Sequence, residues 1–594
     1  MIWPFTNKTD APSPQRRVRI FGPPEWQWTQ TADVGWWVRA DWKIPLLGTV
    51  GLRLDEWRRE QRLTVIKRGP HRVVYRADLP EGSVYIKHFL VPNFRSVLRQ
   101  WIRRGKGRNE GKRTRYLESI GVPTITPIAL GEQRKHKFLF ENYLVTPAIR
   151  DAAPLNTLIE VTMPTWPADR AARVRKRLAS ALGVMTARLH DAGYVHTDFH
   201  PGNIMVRLDA EDQPVLAMID LDALRVCRRL DWHDAQKNLA LLNHYFWLRC
   251  ERTDRRRFLA SYNETRLTCP PDPQAFARGI EISTRSWAEK HWTRWGRRCH
   301  GTNKYFKKIV GPHAWGVASR DLKRSEAVAL LDDPDEPFRR EGATLIKNAR
   351  TSAIVEVTMT VNGAPTTVIY KRFNRKKWLD PLFTYFRPSR AWQSWQAGQH
   401  MVSRAVPTPQ NLAFIARARP FLKDPLFWYL PHETYLITRK ADPAITLSDY
   451  SRKVLPTLSP EDRVRQIRKV TYALAKLLRT LHERSLSDRD LKTANILILG
   501  DPSVDPIALS LIDLVGVRLI HPLPEHRRVQ NLARLQTSLK DVCGRTRTDS
   551  LRFLRAYLPW GLSPHNDWKT LWREIDGAAR QKVERNQRRG REVS

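Results

Sequence analysis

The sequence predicts an α+β protein made of two tandem domains, each strand-rich in its first part and helical in its second. Three observations carry this. A chain of 594 residues is longer than one hydrophobic core serves. Two loops share one plan, "HTDFHPGNIMV" from His196 and "SDRDLKTANILIL" from Ser487, and setting Asp198 on Asp490 gives an offset of 292 residues. At that same offset Leu144, Leu189 and Asn203 fall on Leu436, Leu481 and Asn495. One residue of drift sets Leu221 on Leu514 and Asn238 on Asn531. Upstream, at 284, Lys87 meets Lys371 and Val122 meets Val406. Each match alone is chance-level, but an ordered series at nearly constant spacing is a duplication. Its period of about 280 residues is far too long for a solenoid repeat.

The elements follow in order. Residues 1–45 form a Trp- and Pro-rich N-terminal extension, with no counterpart expected before the second copy. Domain 1 is expected over 46–330 and domain 2 over 344–580. Between them, at 331–343, "LDDPDEPFRR" from Leu331 puts two prolines and four acids into a basic chain, as an exposed linker would. Residues 581–594 read as a basic tail. In each domain the first runs alternate as strands do, "HRVVYRA" and "SVYIKHF" in copy one, "SAIVEVTMTV" and "TTVIYKRF" in copy two. A helical stretch and another strand, "FLFENYLVT" or "ETYLITRK", come next. Then comes a long amphipathic helix. In copy two it carries Ile467, Val470, Leu474, Leu477, Leu478 and Leu481 at helical spacing. The loop with Asp and Asn follows, then a short strand ending in Asp, then helices.

Composition narrows the function. Hydrophobic residues make up 41% of the chain, enough to bury real cores, and 102 Lys and Arg against 60 Asp and Glu give a net charge of +42. That imbalance calls for an anionic partner: nucleic acid, an acidic membrane surface or a phosphorylated glycolipid. No zinc finger or RNP motif supports nucleic acid. The five cysteines, Cys227, Cys250, Cys269, Cys299 and Cys543, never fall in a C-x-x-C pair, which argues against a disulfide framework or zinc site and for a reducing compartment. The first twenty residues have no apolar stretch of signal-peptide length, and no run is long enough to span a bilayer. A cytoplasmic protein, peripheral on the inner membrane, is the expectation.

In copy one, Lys87 lies in an alternating strand, Asp198 and Asn203 share a loop, and Asp220 ends the apolar run "VLAMID". Singly these residues would be a solvated lysine, turn caps and a strand end. In this order they are the parts that phosphoryl transfer from a metal nucleotide needs: a cation on the phosphates, oxygen ligands for Mg²⁺, and a carboxylate to take the proton of an attacking hydroxyl. The order resembles the protein-kinase-like fold, a bilobal domain with a β-rich N-lobe and a helical C-lobe. "HTDFHPGN", "VYIKHF", the "GVPT" turn and a single-glycine "KRGPHR" are most similar to the lipopolysaccharide core kinases, which phosphorylate Kdo or heptose. The resemblance covers most of both copies. It implies ATP and Mg²⁺ as cofactors, Lys87 on the phosphates, Glu110 on helix C as partner of that lysine (with Glu118 its rival), Asp198 as catalytic base, His196 bracing it, and Asn203 and Asp220 as metal ligands.

Copy two keeps Lys371, Asp490, Asn495 and Asp513 for the same roles and adds Lys492 two residues after the Asp, as protein kinases do. It departs at two places. Asp488 stands where copy one has His196, and Ser394 stands where copy one has Glu110, with no acid anywhere between Asp380 and Asp424. The expectation is therefore a weakened or regulatory second domain. The expected function is phosphorylation of a sugar hydroxyl of lipopolysaccharide core or a related glycolipid at the cytoplasmic membrane face. Two alternatives remain open: a tandem pseudokinase scaffold holding nucleotide and an anionic partner, and a kinase acting on a protein or soluble small molecule. Three stretches mix basic and aromatic residues and suit an anionic membrane surface: "WIRRGKGRNEGKRTR" from Trp101, "FNRKKWLDPLFTYFRPSR" from Phe373 and "RQKVERNQRRGREVS" from Arg580.

Overall fold

The computed structural model describes residues 25–69, 71–90, 106–135, 138–227, 230–374, 388–418, 431–504, 506–540, 542, 544–558 and 568–588. The chain divides into two compact units between Ala288 and Glu289. The first contains a seven-stranded sheet of β1 (Trp26–Thr31), β2 (Val34–Arg39), β3 (Leu63–Gly69), β4 (Arg72–Leu79), β5 (Gly82–Phe89), β6 (Ala129–Lys135) and β7 (Phe138–Pro147), in the order β1-β2-β6-β7-β5-β4-β3. The second repeats it with β8 (Phe306–Val310), β9 (Ala314–Ser319), β10 (Thr344–Ala349), β11 (Ser352–Val361), β12 (Ala364–Phe373), β13 (Asn411–Ala418) and β14 (Pro431–Arg439), in the order β8-β9-β13-β14-β12-β11-β10. Neighbouring strands are antiparallel in both.

Strand alternation sets the site lysines. In β5, Val84 and Ile86 are fully buried on one face, so Lys87 faces the other. In β12, Val368 and Tyr370 are buried and Lys371 takes the equivalent place. Across that second face runs α1 (Lys106–Ser119) in unit 1 and α6 (Arg390–Ser403) in unit 2, each 14 residues long.

The helical part of unit 1 holds α2 (Ala168–Asp191), α3 (Trp232–Arg249) and α4 (Arg252–Thr265), followed by α5 (Pro273–Arg298), within which the unit division falls. That of unit 2 holds α7 (Pro460–Glu483), α8 (Glu525–Ser538), α9 (Arg547–Tyr557) and α10 (Trp568–Arg588). All six apolar residues that the spacing picks out in α7 are buried, among them Leu478 and Leu481 completely.

The domain boundaries differ from the sequence expectation at three places. The tryptophan-rich segment is no extension: Trp26–Arg39 is the edge hairpin of the first sheet, with Trp26, Trp36 and Trp37 buried. It has a counterpart, because Phe306–Ser319, expected inside domain 1, is the edge hairpin of the second sheet. Residues 331–343 are no exposed linker. The helix Arg324–Asp332 ends there and Glu336–Phe338 forms a 3₁₀ turn. The acids hold strand arginines: Asp335 pairs with Arg372 at 3.0 Å and Arg417 at 2.7 Å and accepts from the Tyr435 hydroxyl at 3.1 Å. Burial raises the Asp335 carboxyl and the two guanidiniums outweigh it, so it stays below its usual range. The supposed tail from 581 continues α10 to Arg588, and its last residues lie outside the described ones, as do 101–105 and 375–387 of the other two basic stretches.

Replacing Asp335 by Ala takes from Arg372 its ion-pair partner and leaves Arg417 with Glu433 and Asp333, and should cost unit 2 about 2–3 kcal/mol in urea unfolding followed by tryptophan fluorescence. An exposed linker acid would change stability by no more than about 0.5 kcal/mol.

Candidate active site

In unit 1 the Lys87 ammonium lies 2.5 Å from Glu110 Oε1 and 3.7 Å from Asp220 Oδ1. Glu110 sits one turn into α1 and is 5% exposed, so its charge is removed from water except through the lysine. Glu118, the rival, instead accepts from the Thr126 hydroxyl. The loop after α2 carries Asp198 and Asn203. Asn203 Nδ2 donates to the Asp198 carbonyl at 2.9 Å, and the Ile219 amide donates to the Asn203 carbonyl at 2.9 Å. Those bonds bring Asp220 beside Asn203. Asp220 sits at φ 58°, a left-handed conformation that an aspartate tolerates better than a branched residue.

Sequence reasoning missed two arginines here. Arg72 opens β4 and its guanidinium lies 3.3 Å from Asp220 Oδ1. Arg113, one turn beyond Glu110, donates to the carbonyls of Leu221 and Asp222, each at 2.9 Å, and so ties α1 to the segment after Asp220. The signal for Arg72 lay in "KRGPHR", where the arginine closes the turn, but its register against Phe89 was needed to see it. Burial alone would raise the Asp220 carboxyl. Lys87 and Arg72 outweigh that and hold it below its ordinary range, hence ionised.

The loop rests on a buried network. Asn238 on α3 donates to the His196 carbonyl at 2.8 Å, accepts from the His196 amide at 3.3 Å, and meets His190 Nε2 at 3.1 Å. His190 Nδ1 lies 2.8 Å from the Tyr262 hydroxyl. Burial lowers both His190 and His196 to about 4, so both are neutral at neutral pH. Neutral His196 accepts the Asp198 amide at Nδ1, 3.3 Å away, which fixes the backbone of the Asp198 loop. The Asp198 carboxylate itself faces outward, with His200 Nε2 at 3.5 Å.

Unit 2 repeats this frame with altered contents. Asn495 Nδ2 donates to the Asp490 carbonyl at 2.9 Å, the Ile512 amide donates to the Asn495 carbonyl at 2.9 Å, and Asp513 sits at φ 54°. Asn531 on α8 donates to the Asp488 carbonyl at 2.8 Å and meets His482, whose Nδ1 lies 2.8 Å from Tyr557. Asp488 does what His196 does, accepting the Asp490 amide at 2.9 Å. A carboxylate fits because residue 516 is glycine: a Cβ there would stand 2.4 Å from Asp488 Oδ1. Burial, with the charges of Asp490 and Asp513, pushes the Asp488 carboxyl up to about 6 against the lowering effect of the amide bond.

The lysine is where the units part. Ser394 takes the place of Glu110 and is 1% exposed, and its hydroxyl has no hydrogen-bond partner among the described residues. Lys371 turns instead to Asp513, at 2.8 Å, and its ammonium lies 4.9 Å from the centre of the Phe373 ring. Ser352 begins β11 as Arg72 begins β4, so no arginine reaches Asp513 from that position. Lys492 lies 3.8 Å from Asp490.

In unit 1 the Asn203 amide oxygen and the ionised Asp220 carboxylate are the hard oxygen donors that suit Mg²⁺, whose remaining positions ordinarily go to water and phosphate. In unit 2 the matching carboxylate of Asp513 is engaged more closely, by the Lys371 ammonium at 2.8 Å, than Asp220 is by Arg72 at 3.3 Å and Lys87 at 3.7 Å.

The family model described as the Lipopolysaccharide kinase (Kdo/WaaP) family matches residues 67–262 and 345–557. The structure of WaaP in complex with acyl carrier protein is 22% identical, with 44% of this chain and 97% of that chain covered and a TM-score of 0.32. A Toxoplasma gondii rhoptry antigen kinase domain is 13% identical, with 38% and 84% covered and a TM-score of 0.25. The comparison with curated proteins found no match. With one match in each unit, the chain belongs to the lipopolysaccharide kinase (Kdo/WaaP) family and carries two tandem kinase domains.

Proposed function

We propose that unit 1 transfers the γ-phosphate of MgATP to a sugar hydroxyl of a lipopolysaccharide core or related glycolipid, and that unit 2 binds nucleotide but transfers phosphate weakly. The observation that carries this is the 2.5 Å pair of Lys87 and Glu110 in unit 1 against the 2.8 Å pair of Lys371 and Asp513 in unit 2.

Bound nucleotide and Mg²⁺ supply the electrophilic phosphoryl group and neutralise its oxygens. Glu110 holds Lys87 where its ammonium can meet the α and β phosphates, and Arg72 adds a second cation beside Asp220. Asn203 and Asp220 offer the metal its protein oxygens. Asp198, held by His196 and Asn203 but open at its carboxylate, accepts the proton of the attacking hydroxyl. In unit 2, Lys371 holds Asp513 directly, so positioning a phosphate with that lysine uncovers a carboxylate that no arginine from β11 covers. Lys492 offers a cation beside Asp490.

The family supports a glycolipid acceptor over a protein or soluble one. No described helix is long and apolar enough to cross a membrane, so an acceptor at the cytoplasmic membrane face would be met from the surface. The basic, aromatic-flanked stretches of the sequence suit such a contact.

Transfer from radiolabelled ATP to extracted lipopolysaccharide tests this. Asp198→Asn should lower it by about 10²–10⁴-fold, the usual worth of a general base, and Asp490→Asn by less than about tenfold. Equal losses would reject the ranking of the units, and label appearing only in protein or water-soluble sugar would reject the acceptor.

The brace in unit 2 makes a separate pH prediction. Asp488 is raised from 3.8 to about 6 in the fold. The fold therefore favours the protonated acid. Its relative stability is full below 3.8 and declines as pH rises to 6, by up to about 3 kcal/mol. Asp488→Asn keeps an acceptor for the Asp490 amide without that charge. Its unfolding free energy relative to the parent should rise between pH 4 and pH 7, as measured by urea titration; a difference independent of pH would contradict the assignment.

A further inference from the structure

The helical side of Asp490 carries cations that the transfer chemistry does not use. Lys492 leads into the backbone amide of Thr493, which donates to Ser538 at the end of α8, 3.2 Å away. The loop is thus seated on α8. Arg534 lies on α8 one turn before Ser538, and α10 packs along α8, with Gln536 Nε2 donating to Asp576 at 3.1 Å. Two turns further along α10 come Lys582 and Arg585. Arg534 and Lys582 are half-buried and Arg585 is exposed. Among the described residues none of these three makes an ion pair, although α10 itself pairs Arg580 with Asp576 at 2.6 Å.

Two of these cations, Lys582 and Arg534, carry the mark of their neighbours. Burial lowers the Lys582 ammonium, and Arg534, Lys492 and Arg585 lower it further, with Asp490 acting in the opposite sense. Burial likewise lowers Arg534, which Arg527 and Arg585 disfavour and Asp488 and Asp490 favour. Unpaired cations gathered in one place repel each other, and an incoming anion relieves that repulsion.

Unit 1 differs in charge at three aligned positions, two of them in this rim. Asn238 and Asn531 hold the two loops in the same way, and counting from them puts Leu241 where unit 2 has Arg534, and Asp234 where it has Arg527. His200 stands for Lys492. The difference is therefore a charge difference on matching scaffolds, lying on the helical side of the catalytic Asp and away from the strand lysine that would take nucleotide.

We propose that unit 2 binds a ligand that already carries a phosphomonoester, a phosphorylated sugar or the phosphorylated sugar of a glycolipid, between Asp490 and the cationic face formed by Lys492, Arg534, Lys582 and Arg585. Such a group is the product that a sugar kinase makes, so unit 2 would act after a phosphorylation, either as a second kinase or as the unit that retains the phosphorylated product. The location rests on the kinase reading of unit 2, but the test contains no nucleotide and stands apart from it.

Calorimetric titration of the full chain with a hexose 6-phosphate and with the parent hexose reads the preference. The phosphorylated sugar should bind at least about tenfold more tightly, the worth of one or two charge-assisted hydrogen bonds. The combined variant Arg534→Gln, Lys582→Gln, Arg585→Gln should remove that preference. Lys582→Gln alone should reduce it and serves if the combined variant does not fold. Arg256→Gln with Lys176→Gln and Arg285→Gln, three exposed cations of unit 1, should leave it intact. Equal affinity for the two sugars, a preference that survives the combined variant, or equal loss in the unit 1 set would each overturn the proposal. So would a combined variant that keeps the sugar preference but no longer sediments with phosphatidylglycerol vesicles, because the face would then be a membrane contact.

Discussion

One half-buried ammonium organises each candidate site. A lysine on the inner face of an antiparallel sheet cannot remain there uncompensated, since burying a charge without a partner costs several kcal/mol. In unit 1 two carboxylates compensate Lys87, Glu110 from α1 and Asp220 from the loop after Asn203, and the nearer one belongs to the helix. That leaves Asp220 with room for another cation, a place Arg72 already touches. In unit 2 the helix offers Ser394, so among the described residues Asp513 is the carboxylate that compensates Lys371. A single missing carboxylate thus changes what the opposite carboxylate is free to do.

The loop frame is the other half of the constraint. Asp198 and Asp490 each sit on backbone held by a buried asparagine on the following helix, a buried histidine ending the preceding one, and a tyrosine one helix further on. The repeat of "LH" at Leu189 and Leu481 was legible in the sequence as spacing alone. Its meaning was not: both histidines are neutral and interior, and the group they orient is an amide on another helix. The brace itself differs. A neutral imidazole and a carboxylate can both accept an amide proton, but only the carboxylate carries a charge into the interior, which is why Asp488 titrates so far above an ordinary aspartate.

What could be read from the sequence was what a linear pattern encodes. Alternation in "SVYIKHF" and "TTVIYKRF" placed the lysines, the 3.6-residue period of α7 named its buried face, and the constant offset revealed the duplication. The absence of an acid at Ser394 was legible too. What failed was whatever depended on pairing across the chain. The hairpin Trp26–Arg39 joins its sheet through β6, nearly a hundred residues away, and Phe306–Ser319 joins the second through β13, so neither looked like part of a domain that begins later. The acids of 331–343 read as a linker because their arginine partners, Arg372 and Arg417, lie far along the sequence. Arg72 escaped for the same reason.

Charge bookkeeping along the chain then has a consequence of its own. With 102 cations and 60 acids, a large fraction of the arginines and lysines cannot find a carboxylate, and most of those left over gain by standing apart in water. A leftover cation on an exposed helix face therefore carries no information. A group of them, partly desolvated beside the Asp490 loop, is a different matter, because burial and neighbouring cations together lower Lys582 and Arg534 and packing still holds them there. The fold tolerates that arrangement in unit 2, where α10 lies along α8. At the aligned positions of unit 1 it has instead Leu241 for Arg534 and His200 for Lys492. Two copies of one scaffold that agree in the asparagine, histidine and tyrosine supporting the loop, and differ in the lysine's partner and in the charge beside the Asp, have kept what positions a carboxylate and changed what that carboxylate meets.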